Sequence, residues 1–551
     1  MERILKDKLS RNTVLPGSSD EEEVVLELRD LFKETGSDNV YLEPIETLYW
    51  GIRECFIEGQ GFKIKCYPLP YTISIDVEAE VVCGEYIGDR IIFWENPRDK
   101  IVLIPYPRCV EAVSYIVYRL YREGVEAVVF YDNYPLRYRM GVVATDTCYS
   151  YSYGQPPVVP VATIRKEDAI ALSKKTSSRA RLYIETTTRL NSVGYNVLAE
   201  CYGREDRVVE ITTHHDHWFK GYSDSLAPLH VLLGLLEKLE KARHKYTYTI
   251  ISFTSNKLGS PGYAGWYWIW GSRRHLLERM KRDTIDDVLI AINTCSLFTL
   301  EPRLSINPFL YKLAIELSKR IGFSIDRIEL DNPFFDSFSY TLYGVPAMTI
   351  HTHPELSLNY NTDLDDGREC PENLVTEYVG KLYSIILTME ESSLDKIFCL
   401  ECIHDFIDRE IVLDRDVWPI GLRVLIQKTR ELGSIKESID VEAFVRLFTR
   451  EFIKPVTSPT VIPCITTAIY PEILVANDID YIMRMCKGVD TGYCRYIAGE
   501  CRRLSCLYMD RERITRKEYL DTLTRSYLGV LEDTTYDILE RLDKIISSTL
   551  K

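Results

Sequence analysis

The sequence lacks several features that would assign it to a simple functional class. No apolar run is long enough to cross a bilayer, and the charged start of the chain, MERILKDKLSRN, has no apolar core of a signal peptide. Neither a Gly-x-Ser-x-Gly nucleophile turn nor a phosphate-binding Gly-x-x-x-x-Gly-Lys-Ser/Thr loop occurs. We therefore expect a cytoplasmic protein that is neither a serine hydrolase of that type nor a nucleotide hydrolase.

The sequence also has fewer positively charged than negatively charged residues. The 551-residue chain has 67 Lys and Arg against 82 Asp and Glu, which gives a formal net charge of −15 at pH 7. Long-range attraction to nucleic acid or to an anionic membrane surface is therefore disfavoured. The composition predicts neither a nucleic-acid partner nor a membrane partner.

Glutamine is rare, with three residues in the whole chain, whereas Glu, Lys and Ile are abundant. This balance is typical of heat-adapted proteins, in which intracellular disulfides also occur. The 15 cysteines are odd in number and form no regular framework, which argues against a fully paired secreted scaffold. Cys399 and Cys402, followed by His404, resemble half of a zinc knuckle, but without a second half we interpret them as thiols near a domain junction. We expect a thermophilic protein with mostly buried thiols.

A strand, a histidine-rich corner and a helix succeed one another between residues 208 and 239. Residues 208–212 are mostly β-branched, which predicts a strand, and leucines at helical spacing predict a helix over 226–242. Ser223 or Asp224 is expected to cap that helix. The corner holds the candidate ligands His214, His215, Asp216, His217 and Asp224. Because an α/β sheet presents ligands at the carboxyl ends of its strands, this corner is the predicted functional site.

Strands and helices alternate along the chain up to about residue 390. Strands are predicted over 101–104, 125–130, 246–253, 288–293 and 345–350, and helices over 20–35, 110–123, 264–280, 308–321 and 374–387. Beyond residue 390 helices predominate, with predictions over 417–432, 441–452, 478–487, 517–531 and 535–548. The pattern predicts an α/β fold with a largely parallel or mixed sheet covered by helices on both faces, followed by a helical domain.

The stretch THHDHWFKGYSD, residues 213–224, resembles the His-x-Asp…Asp motif of the co-catalytic zinc exopeptidases. That family includes aminopeptidases, glutamate carboxypeptidases and, as a non-peptidase relative, the transferrin receptor. The resemblance implies a peptidase-like α/β domain over residues 1–70 and 191–390 and an inserted protease-associated β/α domain over 71–190. It also implies a helical domain over 391–551 through which the chain is expected to form a homodimer.

The metal site departs from the family pattern at four positions. Asn256 and Lys257 stand where the resemblance implies a Glu-Glu pair, the first Glu being the general base and the second a zinc ligand. No Asp or Glu occurs over 241–277, so shifting the alignment does not restore the pair. Cys295 occupies the place of an Asp ligand, and Asn361 occupies the place of the last His ligand. An amide cannot accept a proton at neutral pH, and an ammonium repels a dication.

Two interpretations of the remaining ligands stay open. In the first, His214, Asp216 and Asp224 form a hydrogen-bonded polar corner without metal, and Lys257 pairs with Asp224 or Asp216 in place of the metal charge. In the second, His214, Asp224 and Cys295 form a rearranged single-metal site with another imidazole. The candidates for that fourth ligand are His215, His217, His351 and His353.

The favoured hypothesis is a non-catalytic homologue of the zinc exopeptidases, without a cofactor, that acts as a binding or assembly protein. A peptide or protein ligand is the expected partner. The alternative is a zinc-dependent aminopeptidase or carboxypeptidase that cleaves peptide termini through the single-metal site. Metal content and chelator-sensitive activity distinguish the two.

Overall fold

The structure is a computed structural model, and it describes most of the chain. The described residues are 9, 12–87, 90–107, 113–141, 157–174, 179–261, 268–322, 324, 327–353, 358–411, 413–457, 465–474, 476, 479–480, 483 and 517–551.

Strands and helices alternate through the first two thirds of these residues. Up to the central helix they are α1 (Ser19–Glu34), β1 (Asn39–Gly59), β2 (Phe62–Lys65), β3 (Tyr67–Pro68), β4 (Ile75–Ile87), β5 (Arg90–Phe93), β6 (Ile101–Pro105), α2 (Val113–Glu123), β7 (Ala127–Tyr131), β8 (Val161–Ile164), α3 (Lys166–Ser173), β9 (Arg179–Cys201), β10 (Glu205–His214) and α4 (Ala227–Leu239). There follow β11 (Tyr246–Phe253), α5 (Trp270–Lys281), β12 (Val288–Thr294), β13 (Arg303–Ile306), α6 (Tyr311–Ile321), β14 (Ile328–Leu330), α7 (Ser337–Leu342) and β15 (Ala347–His351).

Helices dominate the last third. They are α8 (Leu374–Glu391), α9 (Leu394–Ile397), α10 (Cys402–Glu410), α11 (Ile420–Glu431), α12 (Val441–Phe452) and α13 (Lys517–Ser548), with a two-stranded sheet of β16 (Ile453–Thr457) and β17 (Ile465–Ile469). Among the helices that the structure describes, none has both the length and the hydropathy that a bilayer crossing requires.

Most of the predicted elements are present, and two of the predicted helix boundaries differ from the structure. The separate helices predicted over 517–531 and 535–548 are one helix, because residues 532–534 include neither Gly nor Pro to interrupt it. Helix α5 begins only at Trp270, and residues 262–267 lie outside the described part of the chain. Most of the helix predicted over 478–487 also lies outside it.

A mixed sheet of 15 strands forms the centre of the fold. Its order is β14-β13-β15-β12-β10-β11-β9-β4-β6-β7-β8-β3, with β1, β2 and β5 off this path. Strands β15, β12, β10 and β11 run parallel, so their carboxyl ends meet at one edge. The predicted α/β class with a mixed sheet flanked by helices is therefore confirmed.

Residues 71–190 contain a parallel unit of β4, β6, β7 and β8 with helices α2 and α3. Strand β9 belongs to this unit and to the peptidase-like part at once. Its first half pairs with β4 and its second half with β11, while β1 follows it almost throughout. The strand therefore runs unbroken past the predicted boundary at residue 190, and the division into domains and the protease-associated character of the insert stay predictions.

Candidate functional site

Three strand ends bring together four residues that lie far apart in the sequence. His214 ends β10, Asn256 and Lys257 follow β11 by three and four residues, and Cys295 follows β12 directly. Because β10 is paired in parallel with both β11 and β12, these ends share one edge of the sheet. The predicted site edge is thus formed as expected, and these four side chains are buried.

Asp224 reaches this edge from a π-helical turn, Tyr222–Leu226, that precedes α4. The prediction that Ser223 or Asp224 caps α4 with its side chain is wrong, because no side-chain cap hydrogen bond is formed there. Instead, the carboxylate of Asp365 accepts the backbone N–H groups of Ser223 (2.9 Å) and Asp224 (3.2 Å). The Asp224 carboxylate is thereby left to point into the site.

Lys257 forms a buried ion pair with Asp224. Its Nζ lies 2.7 Å from Oδ2 and 3.0 Å from Oδ1, and the two side chains are 5% and 2% exposed. The hydroxyl of Ser296 donates to the same carboxylate (3.3 Å), and the Tyr360 ring lies 5.0 Å from Nζ with its hydroxyl 3.4 Å away. One of the two ion pairs predicted for Lys257, the one with Asp224, is therefore present.

The ion pair fixes the charge state of both partners. Burial by itself would raise the pKa of Asp224, but the Lys257 ammonium outweighs burial and holds that pKa below its usual value. Burial would likewise lower the pKa of Lys257, but the Asp224 carboxylate reverses this and raises that pKa. At neutral pH the pair is therefore ionised and internally neutral.

His214 and Cys295 are in contact but carry no charge. The Cys295 Sγ atom lies 3.6 Å from His214 Nε2, and His214 Nδ1 donates to the Asp216 carbonyl at 3.0 Å. Burial raises the pKa of the Cys295 thiol to about 12, and burial together with Lys257 lowers the pKa of His214 to about 3. The pair is a neutral thiol and a neutral imidazole, unlike the thiolate and imidazolium of a cysteine nucleophile.

The Asp216 carboxylate forms hydrogen bonds with the backbone of the turn that carries Lys257. Its two carboxylate oxygens accept the N–H groups of Asn256 (2.9 Å) and Lys257 (2.7 Å). Burial nevertheless raises the pKa of Asp216 to about 7. Asp216 therefore positions the turn, and the ion pair predicted between Lys257 and Asp216 as an alternative is not formed, because Nζ is directed to Asp224.

Asn256 turns its side chain away from the ion pair. Its amide Nδ2 donates to Asp336 Oδ2 at 2.8 Å, and Asp336 also accepts the hydroxyl of Ser272 at 2.6 Å. Burial raises the pKa of Asp336 to about 6. Asp336, which the sequence did not single out, lies 80 positions from Asn256 and carries no local signal of this contact.

Asn361 lies in a loop that residues of the inserted segment hold in place. Arg139 donates to the carbonyls of Leu358 (2.6 Å) and Tyr360 (2.8 Å), and the Met140 N–H donates to the Asn361 carbonyl (2.8 Å). The Asn361 side chain oxygen is buried without a hydrogen-bond partner, and its backbone is left-handed at φ 55°. The loop sets Tyr360, rather than Asn361, against Lys257.

The other predicted imidazoles have partners elsewhere. His215 contacts Ser252 and Glu21, and His351 lies 2.9 Å from the Ser305 hydroxyl and 3.2 Å from Glu329. His217 donates through Nδ1 to the Phe219 carbonyl, and His353 packs on the Tyr360 ring at 4.6 Å. None of these four belongs to the group of possible metal ligands found among the described residues.

The fold of the chain resembles that of known proteins. No family model matches the chain. A zinc aminopeptidase from Bacillus subtilis aligns with a TM-score of 0.56 and 16% identity, over 72% of this chain and 97% of that one. A peptidase M28 precursor from Shewanella amazonensis aligns with a TM-score of 0.56 and 15% identity, over 71% of this chain and 92% of that one. The chain has the peptidase M28 fold.

Carboxypeptidase Q of Xenopus laevis is 24% identical to the chain over 275 residues, which is 46% of this chain and 58% of that protein. The match therefore spans less than two thirds of that relative. The resemblance to the zinc exopeptidases is confirmed for the fold.

The residues at the metal position of this M28 fold do not fit two zinc ions. His214, Asp224 and Cys295 offer ligand atoms that all lie within 4.8 Å of one another. However, the Asp224 carboxylate is already neutralised by the Lys257 ammonium at 2.7 Å. The other two positions matched to ligands hold Lys257 and Asn361, and the position matched to the general base holds Asn256. His214, Asp224 and Cys295 are only three possible ligands, and Asp224 is already paired with Lys257. They do not replace the larger set of ligands that a site for two metal ions requires.

Proposed function

We propose that the protein is a non-catalytic homologue of the zinc exopeptidases that acts as a binding or assembly protein. The observation that carries the proposal is the 2.7 Å ion pair between Lys257 Nζ and Asp224 Oδ2 in the interior of the fold. An ammonium supplies the positive charge that a metal ion would otherwise supply to this carboxylate. In this proposal, Asp224 needs no metal ion to neutralise its charge.

The general base is missing as well. Asn256 stands at its matched position, and the Asn256 amide donates to Asp336 rather than facing Asp224. An amide has no proton-accepting state at neutral pH. At the positions where the resemblance places them, the chain therefore supplies neither the ligands for a metal ion that would activate water nor a base that would take the proton from that water.

A binding role is the function that remains for this edge. The loop that carries Tyr360 is tied to the inserted segment through Arg139. A loop held in this way suits a peptide or protein ligand, because little ordering of the loop is left to occur on binding. Homodimer formation through residues 391–551, a cytoplasmic location and a thermophilic source stay predictions from the sequence.

Zinc titration of the metal-stripped full chain tests the proposal. We compare the wild type, the acidic variant N256E/K257E and the conservative variant N256Q/K257R by calorimetry, with circular dichroism to confirm folding. We expect no stoichiometric zinc binding by the wild type or the conservative variant. The acidic variant is expected to bind zinc at least about tenfold more tightly, because each carboxylate added near a dication strengthens the site.

The alternative is a zinc-dependent exopeptidase with a single ion held by His214, Asp224 and Cys295, whose ligand atoms lie within 4.8 Å of one another. Stoichiometric zinc in the wild type, together with cleavage of aminoacyl or carboxy-terminal peptide substrates that a chelator and Asp224→Asn both abolish, would establish this alternative. It would also overturn the proposal of a non-catalytic protein.

A further inference from the structure

Cys399 and Cys402 form a disulfide across the sequence Cys-Leu-Glu-Cys, with their Cα atoms 5.4 Å apart. The interpretation of Cys399 and Cys402 as thiols is therefore wrong. The pair has no role in the exopeptidase-like edge, and it lies where the chain enters the C-terminal helices. A second disulfide, Cys55–Cys66, joins β1 to the end of β2. The two disulfides differ in what surrounds them.

Cys55 and Cys66 are part of a packed apolar core. They belong to one buried cluster with Ile57 and Ile64, so their sulfur atoms fill space between other side chains. Around the other disulfide, Leu400 and Ile403 point into the main core, whereas Cys399 and Cys402 do not belong to that cluster. Cys399 and Cys402 are themselves buried, at 3% and 7% exposure, but they lie beside this core cluster rather than within it.

The backbone at Cys399 and Cys402 is held without the disulfide. The Cys399 N–H donates to the Phe309 carbonyl at 2.8 Å, and the Cys402 and Ile403 N–H groups donate to the carbonyls three residues before them. The disulfide closes a loop with a sequence separation of only 3, and short loops give the smallest entropic stabilisation of the folded state. Opening this bond is therefore compatible with an intact fold.

We propose that Cys399–Cys402 is a reversible thiol–disulfide site, whereas Cys55–Cys66 is a permanent structural bond. Cys402 is the first residue of the nine-residue helix α10, and it is the more exposed of the pair at 7% against 3%. A Cys-x-x-Cys pair at the start of a helix favours the thiolate, which is both the attacking and the leaving form in exchange. This site is independent of the proposed binding function.

The partner is a low-molecular-weight thiol or a protein dithiol. Its thiolate attacks the Cys402 sulfur, the S–S bond breaks, and Cys399 leaves as a thiolate that takes a proton from water. A second thiolate attacks the mixed disulfide and releases Cys402. In sum, two thiols are oxidised to one disulfide, and the protein disulfide is reduced to two thiols.

The test measures the two disulfides separately in the native full chain. Protein is equilibrated with reduced and oxidised glutathione at graded ratios, quenched with acid, alkylated and digested, and the cysteine peptides are quantified by mass spectrometry. We expect Cys399 and Cys402 to become alkylated at least about tenfold faster than Cys55 and Cys66. The reason is that the Cys55–Cys66 disulfide, within its apolar cluster, can be reduced only after local unfolding exposes it. The far-ultraviolet circular dichroism should not change.

The variant C399S/C402S provides the control and is expected to fold and to release no further thiols under these conditions. Two results would overturn the proposal. One is reduction of Cys399 and Cys402 only under denaturing conditions, at the same rate as Cys55 and Cys66. The other is recovery of both residues as free thiols even in fully oxidised glutathione.

Discussion

Lys257 and Asp224 form an ion pair whose closest atoms are 2.7 Å apart and whose side chains are 5% and 2% exposed. Removing one partner leaves a buried charge without compensation, which typically costs about 3–5 kcal/mol. We therefore expect Lys257→Met to lower the free energy of unfolding by about this amount in urea titrations. The double variant K257M/D224N should recover part of the loss, because the remaining side chains are then neutral.

Lys281 offers a matched control for this prediction. Its ammonium lies 2.7 Å from Glu278, the same distance, but its side chain is 53% exposed. Exposed ion pairs contribute about 0–1 kcal/mol, so Lys281→Met should change stability little. Equal losses for the two Lys→Met variants would show that Lys257 does not neutralise a buried charge.

Asp216 is expected to stabilise the fold because its carboxylate accepts hydrogen bonds from the backbone N–H groups of Asn256 and Lys257. Asp216→Ala leaves both buried donors without a partner, and we expect a loss of about 2–4 kcal/mol. Asp216→Asn keeps one acceptor oxygen and should cost less. Hydrogen exchange at residues 256 and 257 checks the reason, since both amides should exchange faster in the Ala variant. Unchanged exchange there would contradict it.

His275 predicts a pH dependence of stability. Burial alone would lower its pKa, but Glu210 and Glu43 outweigh burial and raise that pKa from 6.5 to about 9. A His with a raised folded-state pKa stabilises the protein fully below the unfolded value and loses this contribution as pH rises through the folded value. We expect the free energy of unfolding to fall by about 2–3 kcal/mol between pH 6.5 and 9.5.

The variant His275→Gln isolates this contribution. Glutamine retains a hydrogen-bond donor for the carboxylates but cannot carry the proton that titrates. Its stability should be lower than that of the wild type at pH 6.5 and should change much less up to pH 9.5. If the wild-type and variant curves have the same slope over this range, the ion pairs of His275 with Glu43 (3.0 Å) and Glu210 (3.3 Å) are not the cause.

Arg139 is expected to control the loop that carries Tyr360. Its buried guanidinium pairs with Asp132 at 2.6 Å and donates to the Leu358 and Tyr360 carbonyls. Arg139→Lys keeps the charge but loses the planar fork that reaches these acceptors together. We expect a stability loss of about 2–4 kcal/mol and faster hydrogen exchange over residues 358–362. The partly exposed Arg165, which pairs with Asp363 at 3.0 Å, provides the control: Arg165→Lys should cost less than about 1 kcal/mol.

The sequence predicted the elements that build the site well, for local reasons. Strand β11 and helix α12 were predicted to the residue, since apolar periodicity depends on a face that each segment presents to the core. Parallel pairing then brought His214, Lys257 and Cys295 to one edge, as expected from the alternation of strands and helices.

What the sequence by itself determined is therefore the fold class, the edge that holds the site, and the chemical types at each position, including an ammonium where an acid was implied. The tertiary structure alone decided which partner each group takes: Lys257 pairs with Asp224 rather than Asp216, Asn256 donates to Asp336, and Asp365 caps the turn before α4. The physical reason is the distance along the sequence between the residues that interact. Periodicity is a property of neighbouring residues, whereas a buried charge or N–H group takes whatever partner the packing of distant segments places within about 3 Å.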